Sequence, residues 1–447
     1  MRAVLLLTIV LGIGALFWLL RSPAPEPPAA VLPATTLLRE EVTGAPENAA
    51  SSGAPATAPD PARAEAIRLN EQALELLDAG DPAAAEPLLV AALLRAPDDA
   101  VLAKNLSRTR VRLGRQAQES GRADEALGWF RSAALAHDDD GAPAEWEASL
   151  LLRRGDRSAA KEFALAALER FPRSAALSRL CGEIAFLEGD LEGAVAAYEA
   201  ALQHQDEPAP RARLAQLQEE QRAFAHFLTD ATAHCDSRYD PDDSAISARA
   251  PELHAALEEA WQDVVGALGV TPPGRILVLW LSPERYRGAA PEWSGGLYDG
   301  RVRVLLHAET GVDAALRATL RHELTHAVLH SLGAVLPTWL HEGLAQRREG
   351  RDPERARRRL RSLGVTLEAA ALDVDWTAWT DKQRLEQAYG LALSLVAWLE
   401  ERHGASAVAS LLLAARGGDF AGAWTRIFAR PFAEMEAEHR AWLIAGG

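Results

Sequence analysis

Residues 313–345 read DAALRATLRHELTHAVLHSLGAVLPTWLHEGLA, and this stretch decides how the C-terminal half of the chain is read. It predicts a helix from about Asp313 to Leu332, stopped by Gly333. Within that helix stands His322-Glu323-Leu324-Thr325-His326, an HExxH sequence. Helical residues four apart share a face, so both imidazoles can reach one cation, while Glu323 points at an open coordination position. Such an arrangement suits tetrahedral zinc with a bound water.

A third donor stands sixteen residues past His326, in Pro337-Thr338-Trp339-Leu340-His341-Glu342-Gly343-Leu344-Ala345. Glu342 is the natural third ligand, and two His with one Glu leave the fourth zinc position to water. The small Gly343 and Ala345 are expected to let this second helix lie close to the first. His341 is a rival ligand, but neighbouring helical residues point about 100° apart, so Glu342 is preferred. His330 is read as facing solvent or core, and the Gly and third His of the metzincin pattern are absent after His326. The chain has two cysteines, Cys181 and Cys235, too few for a thiolate zinc site or a disulfide framework. Cys181 is read as a small buried hydrophobe. A closed structural zinc site needs four protein ligands, and three are offered here.

Residues 322–345 resemble the active-site stretch of gluzincin peptidases, in particular the bacterial MA-like domains with an EGLA-type second helix. The turn and strand over residues 295–306, and the helix that carries Ala388-Tyr389 and ends at His403-Gly404, are similar to that family's flanks. The resemblance covers residues 222–447 and implies an α+β zincin-like metallopeptidase domain. It implies His322, His326 and Glu342 as zinc ligands, Glu323 as general base, and hydrolysis of peptide bonds in a protein or peptide substrate. Tyr389 is a candidate donor to the oxyanion, but a Tyr on an amphipathic helix ordinarily packs its ring in a core, so it stays outside the site set.

Upstream, Gly80-Asp81, Gly121-Arg122, Gly155-Asp156 and Gly189-Asp190 recur at intervals of 41, 34 and 34 residues. Five residues after each glycine stands an alanine: Ala85, Ala126, Ala160 and Ala194. Pro97 and Pro172 fall where a second helix must stop. Residues 63–221 thus resemble an α-helical superhelix of tetratricopeptide repeats, three to five units by their length. Such arrays often bind peptides or partner proteins on a concave face, and a rigid spacer is the alternative.

After Glu220 the pattern predicts strands over residues 223–232 and 275–282, with a helix over 251–268 between them. The alternation in residues 301–306 predicts a half-exposed or edge strand, to which an extended substrate segment is expected to add as a further strand. The dense arginine run from Arg351 to Arg361 is read as a solvated helix face.

Residues 3–20, AVLLLTIVLGIGALFWLL, form an uncharged run of 18, about 27 Å as a helix and close to a bilayer's apolar thickness. With Arg2 on the cytoplasmic side, the remainder is expected outside the cytoplasm, in the cell envelope. Residues 1–21 are read as a retained single-pass anchor in preference to a cleaved signal peptide, whose removal would leave a secreted protein. Residues 22–62, rich in Pro and Ala, read as a disordered linker. A net charge of -16 argues against nucleic acid as a partner. A rival reading of a different class keeps the repeats as a partner-binding envelope scaffold and denies turnover to the C-terminal domain.

Overall fold

The computed structural model describes residues 61–139, 141–286, 296–307, 311–334, 336–365, 381–416 and 420–445, with positions 367, 372, 376 and 379. The apolar segment and nearly all of the Pro/Ala-rich linker expected at the N-terminus lie outside the described residues. No helix among those described is long and apolar enough to cross a membrane.

The N-terminal part is an array of helix pairs: α1 (Pro61–Asp78) with α2 (Pro82–Arg95), and α3 (Ala100–Glu119) with α4 (Ala123–Ala136). They are followed by α5 (Ala142–Arg153) with α6 (Arg157–Arg170), then α7 (Ala175–Leu187) with α8 (Leu191–His204), while α9 (Pro208–Phe224) packs on α8. Each pair turns on a repeated glycine, with φ of 82°, 73°, 74° and 78° at Gly80, Gly121, Gly155 and Gly189. The left-handed backbone lets the next N–H reach back five residues, as Asp81 to Leu76, Arg122 to Ala117, Asp156 to Leu151 and Asp190 to Ala185. Asp81, Asp156 and Asp190 then cap the following helix.

The repeated alanines Ala85, Ala126, Ala160 and Ala194 are all fully buried. A second complementarity sets how closely each pair packs. Gly114 stands against the Phe130 ring and Gly182 against Tyr198, while Ala73 shares a core with Leu89, and Ala148 with Ala164. The seven extra residues of the first interval lengthen a helix, since α3 has 20 residues where α5 has 12.

The C-terminal part holds a five-stranded mixed sheet in the order β1-β2-β3-β5-β4. Its strands are β1 (Leu228–Ala231), β2 (Cys235–Tyr239), β3 (Ile276–Leu281), β4 (Gly296–Tyr298) and β5 (Val302–Leu305). β2, β3 and β5 run parallel, with β1 and β4 antiparallel at the edges. α10 (Ala250–Leu268) crosses from β2 to β3, and every residue of β3 is buried. Seven helices follow among the described residues, the first six being α11 (Ala314–His330), α12 (Thr338–Glu349), α13 (Pro353–Leu363), α14 (Lys382–His403), α15 (Ala405–Ala414) and α16 (Phe420–Phe428). The last is α17 (Phe432–Ile444). One continuous apolar core joins α10, the sheet and α11 to α17.

Three readings of the sequence need correction. Ala223 and Phe224 close helix α9, so the first strand begins only at Leu228. β2 was not anticipated, because CDSRY carries little apolar signal although its alternate residues are buried. The strand with the Arg-Val alternation is no edge: β5 lies between β3 and β4, and Asp299-Gly300 is the turn of the β4–β5 hairpin. Val302 and Val304 enter the core, and Arg301 and Arg303 are buried on the other face.

That other face is covered by the repeat array. Arg301 and Arg303 both reach Glu220 of α9, with Arg303 Nη2 at 3.1 Å from Oε1, and Arg303 Nε donates to Asp299 at 2.9 Å. Phe186 of α7 receives the Arg301 guanidinium at 3.9 Å and that of Arg213 at 4.3 Å from its ring centre. Arg238 of β2 donates to the Gly189 carbonyl at 2.9 Å. At the end of α11, Gly333 adopts φ 62°, and a Cβ there would overlap the Arg154 backbone. Gly333→Ala is therefore expected to cost upwards of about 3 kcal/mol through that clash and the strained φ. Gly274→Ala, with open space at its Cβ, serves as the control in denaturant unfolding. Equal midpoints for the two variants would dismiss the contact.

Burial raises the Asp299 carboxyl, but Arg303, Arg301 and Arg213 outweigh it and hold it below the ordinary range. A carboxylate held low when folded stabilises the chain above its unfolded value of about 3.9, and that stability is lost as pH falls through the folded value. Asp299→Asn is expected to lower stability at neutral pH and to flatten the acid limb of the stability curve below about pH 4. Unfolding followed from acid to neutral pH checks this, an unchanged limb being the adverse result.

Candidate metal centre

α11 and α12 bring the three sequence-derived donors together. His322, His326 and Glu342 each offer one ligand atom, and these atoms lie within 4.8 Å of one another. His326 Nε2 stands 3.9 Å from Glu342 Oε1, and the His322 and His326 rings are 5.0 Å apart. Asp313 caps α11 by accepting the Leu316 N–H at 2.9 Å, which fixes the register of both histidines.

The donor set fits zinc on several counts. Neither ring nitrogen of buried His326 has a hydrogen-bond partner among the described residues. Leaving such a group unsatisfied costs about 1–3 kcal/mol, which a cation at that position would relieve. Burial, reinforced by His322, His341 and His330, pulls His326 well below the usual histidine range, which keeps the neutral ligating form. For His322 burial acts in the opposite sense to Glu349, Glu323 and Glu342, and the carboxylates raise it to about 9. The same acidic field favours a divalent cation there.

Glu349 is the residue the sequence reading missed. Its Oε2 lies 3.2 Å from His322 Nδ1, which leaves Nε2 for a metal, and Arg351 pairs with its other oxygen at 2.7 Å. Burial would raise Glu349, yet His322 and Arg351 hold it at about 2. The signal was present: seven residues after Glu342, or two helical turns, Glu349 returns to nearly the same face of α12.

Glu323 is buried beside the cluster, where burial sets its carboxyl at about 7, with His322 lowering it and Glu349 raising it. Strand β4 closes over it, since a Cβ on Gly296 would fall 2.8 Å from Glu323 Oε1 and 2.9 Å from Thr319 Cγ2. The carboxylate is thus placed between the candidate metal ligands and a sheet edge.

The remaining candidates sort by position. His341 is outside the donor cluster; its ring stacks on His326 with centres 6.0 Å apart and lies tilted to His330 at 5.6 Å. His330 packs 5.1 Å from Tyr298, and burial, with Arg157 adding, lowers it to about 4. Tyr389 packs its ring 5.2 Å from Trp376, and its carbonyl accepts from Gln346 at 3.1 Å. Gly343 was expected to admit α11, but it faces α14, where a Cβ would overlap the Ala392 carbonyl and meet Val396. Its small size seats α12 on the helix behind it.

No family model matches the chain, and no curated protein matches it. Among solved structures it is similar to a tetratricopeptide repeat protein from Parabacteroides merdae, at 14% identity and a TM-score of 0.32, over 73% of this chain and 99% of that one. At that level the repeat assignment rests on the helix pairs and their glycine turns.

Glu349→Gln keeps the side-chain length and removes the charge behind His322. Partners of this kind typically contribute 10–100-fold to metal affinity, so the variant is expected to bind zinc about that much more weakly in a chelator competition. Unaltered affinity would show that Glu349 does not orient the ligand.

Proposed function

We propose that this chain is a zinc-dependent peptidase of gluzincin type, in which a tetratricopeptide-like array accompanies a zincin-like domain. The supporting observation is the convergence of His322, His326 and Glu342 donor atoms within 4.8 Å, beside a buried Glu323 on the same helix. When bound, zinc supplies a Lewis acid that acidifies a water and polarises a carbonyl.

The chain's own residues supply the rest. His322 and Glu349 form an oriented imidazole–carboxylate pair, and His326 and Glu342 complete a three-ligand set with one position open. Glu323, at about 7, is suited to take a proton from a water near neutral pH and to return it to a leaving amine. The outer edge of β4 passes Glu323 at Gly296, so an extended peptide added along that edge would bring a carbonyl to the same place. This role was expected of the strand now seen to be internal, and it moves to β4. Tyr389 has no assigned part.

The apolar residues 3–20 would tether the enzyme to a membrane with its domains outside the cytoplasm. Substrates are proteins or peptides, and arrays of this kind generally hold protein partners.

The test uses the full-length chain. Wild type is expected to hold one zinc by elemental analysis and to cleave unfolded casein. Glu323→Gln should keep the metal and lose turnover by at least about a hundredfold, the usual size of a general base's contribution, while Glu342→Ala should lose the metal. A folded wild type that binds no zinc would end the peptidase reading and leave the repeat scaffold.

A further inference from the structure

A cleft of about 960 Å³ opens where the repeat array meets the C-terminal domain. One wall is made by the glycine turns between α5 and α6 and between α7 and α8, and a second by the approach to β3. The third carries Tyr298, Ala327, His330 and His341, so it reaches the immediate chain neighbours of His326 and Glu342.

Its charge runs against that of the molecule. The chain carries a net -16, yet Arg153, Arg154, Arg157, Arg275 and Arg416 line this cleft against two acids, Asp156 and Glu188. Both acids are engaged. Asp156 accepts the Ala159 N–H at 3.1 Å to cap α6, and Glu188 pairs with Lys161 at 2.6 Å. Arg154 and Arg275 have partners in Asp124 at 2.9 Å and Asp236 at 3.3 Å. Arg153 and Arg157 have no carboxylate within 4.0 Å among the described residues, and Arg157 donates to the Leu187 carbonyl at 3.1 Å. Burial alone lowers Arg153 from the usual arginine range, the mark of a desolvated cation without an acid beside it.

The cleft also lies on the line of the sheet edge. β4 runs from Gly296, against Glu323, to Tyr298 at the cleft wall. At about 3.3 Å per residue, a peptide extended along that edge enters the cleft two or three residues from a bond placed beside Glu323. Uncompensated guanidiniums in a partly dry site favour a carboxylate, which their fork geometry matches.

We propose that this cleft selects peptides bearing a carboxylate, either an Asp or Glu side chain or a chain terminus, two or three residues from the cleaved bond. The position of that bond rests on the peptidase reading; the preference for the carboxylate does not. The repeat array, through Arg153 and Arg157, is then part of the specificity surface.

Zinc-loaded full-length Glu323→Gln protein would be titrated into three fluorescein-labelled decapeptides, followed by anisotropy. One is amidated with two central Glu residues, the second has Gln in their place, and the third is the Gln peptide with a free terminal carboxylate. The Glu peptide is expected to bind at least about tenfold tighter than the amidated Gln peptide, with the margin shrinking as salt is raised. Tightening by the third peptide alone assigns the site to chain termini. Adding Arg153→Glu and Arg157→Glu should erase or reverse the margin, and the milder Arg153→Gln should reduce it in a chain whose circular dichroism is unchanged. Equal binding of all three peptides overturns the proposal, as does a margin that survives the arginine substitutions. A carboxylate margin in a protein whose wild type cleaves no peptide would remove the peptidase reading and leave this cleft as a binding site.

Discussion

Two buried arginines hold the parts of this molecule in place. Arg301 and Arg303 alternate on β5 with Val302 and Val304, so one strand carries core on one face and charge on the other. Burying two guanidiniums is costly unless their hydrogen bonds and charge are answered. The charge is answered from two places at once, Asp299 in the hairpin turn and Glu220 near the end of the repeat array, while Arg301 Nε and Nη1 and Arg303 Nη1 have no hydrogen-bond partner among the described residues. Because one acid belongs to the sheet and the other to the helices, a single cluster fixes the hairpin, its outer strand and the seating of the array.

The candidate metal centre inherits this rigidity. β4 is tied to β5, and its Gly296 leaves room for the Glu323 side chain and little else. The far end of α11 is pinned where Gly333 meets the Arg154 backbone, and α12 is seated on α14 through Gly343. The two helices that carry the donors are therefore positioned by separate contacts behind them. That independence matters, because without a cation the donors hold together unevenly: the carboxylates favour a protonated His322, while burial and the other histidines disfavour protonation of His326. The grouping of the donor atoms within 4.8 Å is therefore held by the contacts behind the two helices as well as by the donors' own charges.

What the sequence disclosed follows from how local each signal is. The glycine turns, the capping aspartates and the small alanines are read within one or two helices, and the repeat spacing shows in the structure as four similar pairs among the described residues. The HExxH spacing is likewise a property of one helix. Glu342 needed two helices to meet, and a carboxylate among small residues signalled the second, although Gly343 turned out to serve a different neighbour. Apart from the end of α9, where Ala223 and Phe224 were read as strand, the failures are non-local. Arg-Val-Arg-Val reads as a strand facing water unless it is known that Glu220, some eighty residues earlier in the chain, will cover it. Ser237 on β2 is buried and accepts from the Trp280 indole at 2.9 Å, a partner that CDSRY gives no hint of. Glu349 was legible in principle, by helical spacing from Glu342, but a carboxylate at that position has meaning only beside His322.

The same non-local covering bears on what the repeat array is for. An array serving only as a spacer would be free to leave the sheet solvated, and β5 would then carry a polar face compatible with water. Instead α7 and α9 supply Phe186 and Glu220 to a strand that cannot stand exposed, and the turns at Gly155 and Gly189 are brought against the end of α11 and against β2 and β3. Within those turns Gly155 and Gly189 are fixed by their left-handed backbone and close contacts, whereas Arg157, at the start of α6, lines the cleft with its side chain. Placing the array beside α11 lets side chains such as Arg157 change while the HExxH helix and its supports stay fixed. If the cleft recognises a ligand as proposed, recognition can be altered at such positions without a cost to the geometry of His322, His326 and Glu342, which is a physical reason for the candidate centre to be built against repeats.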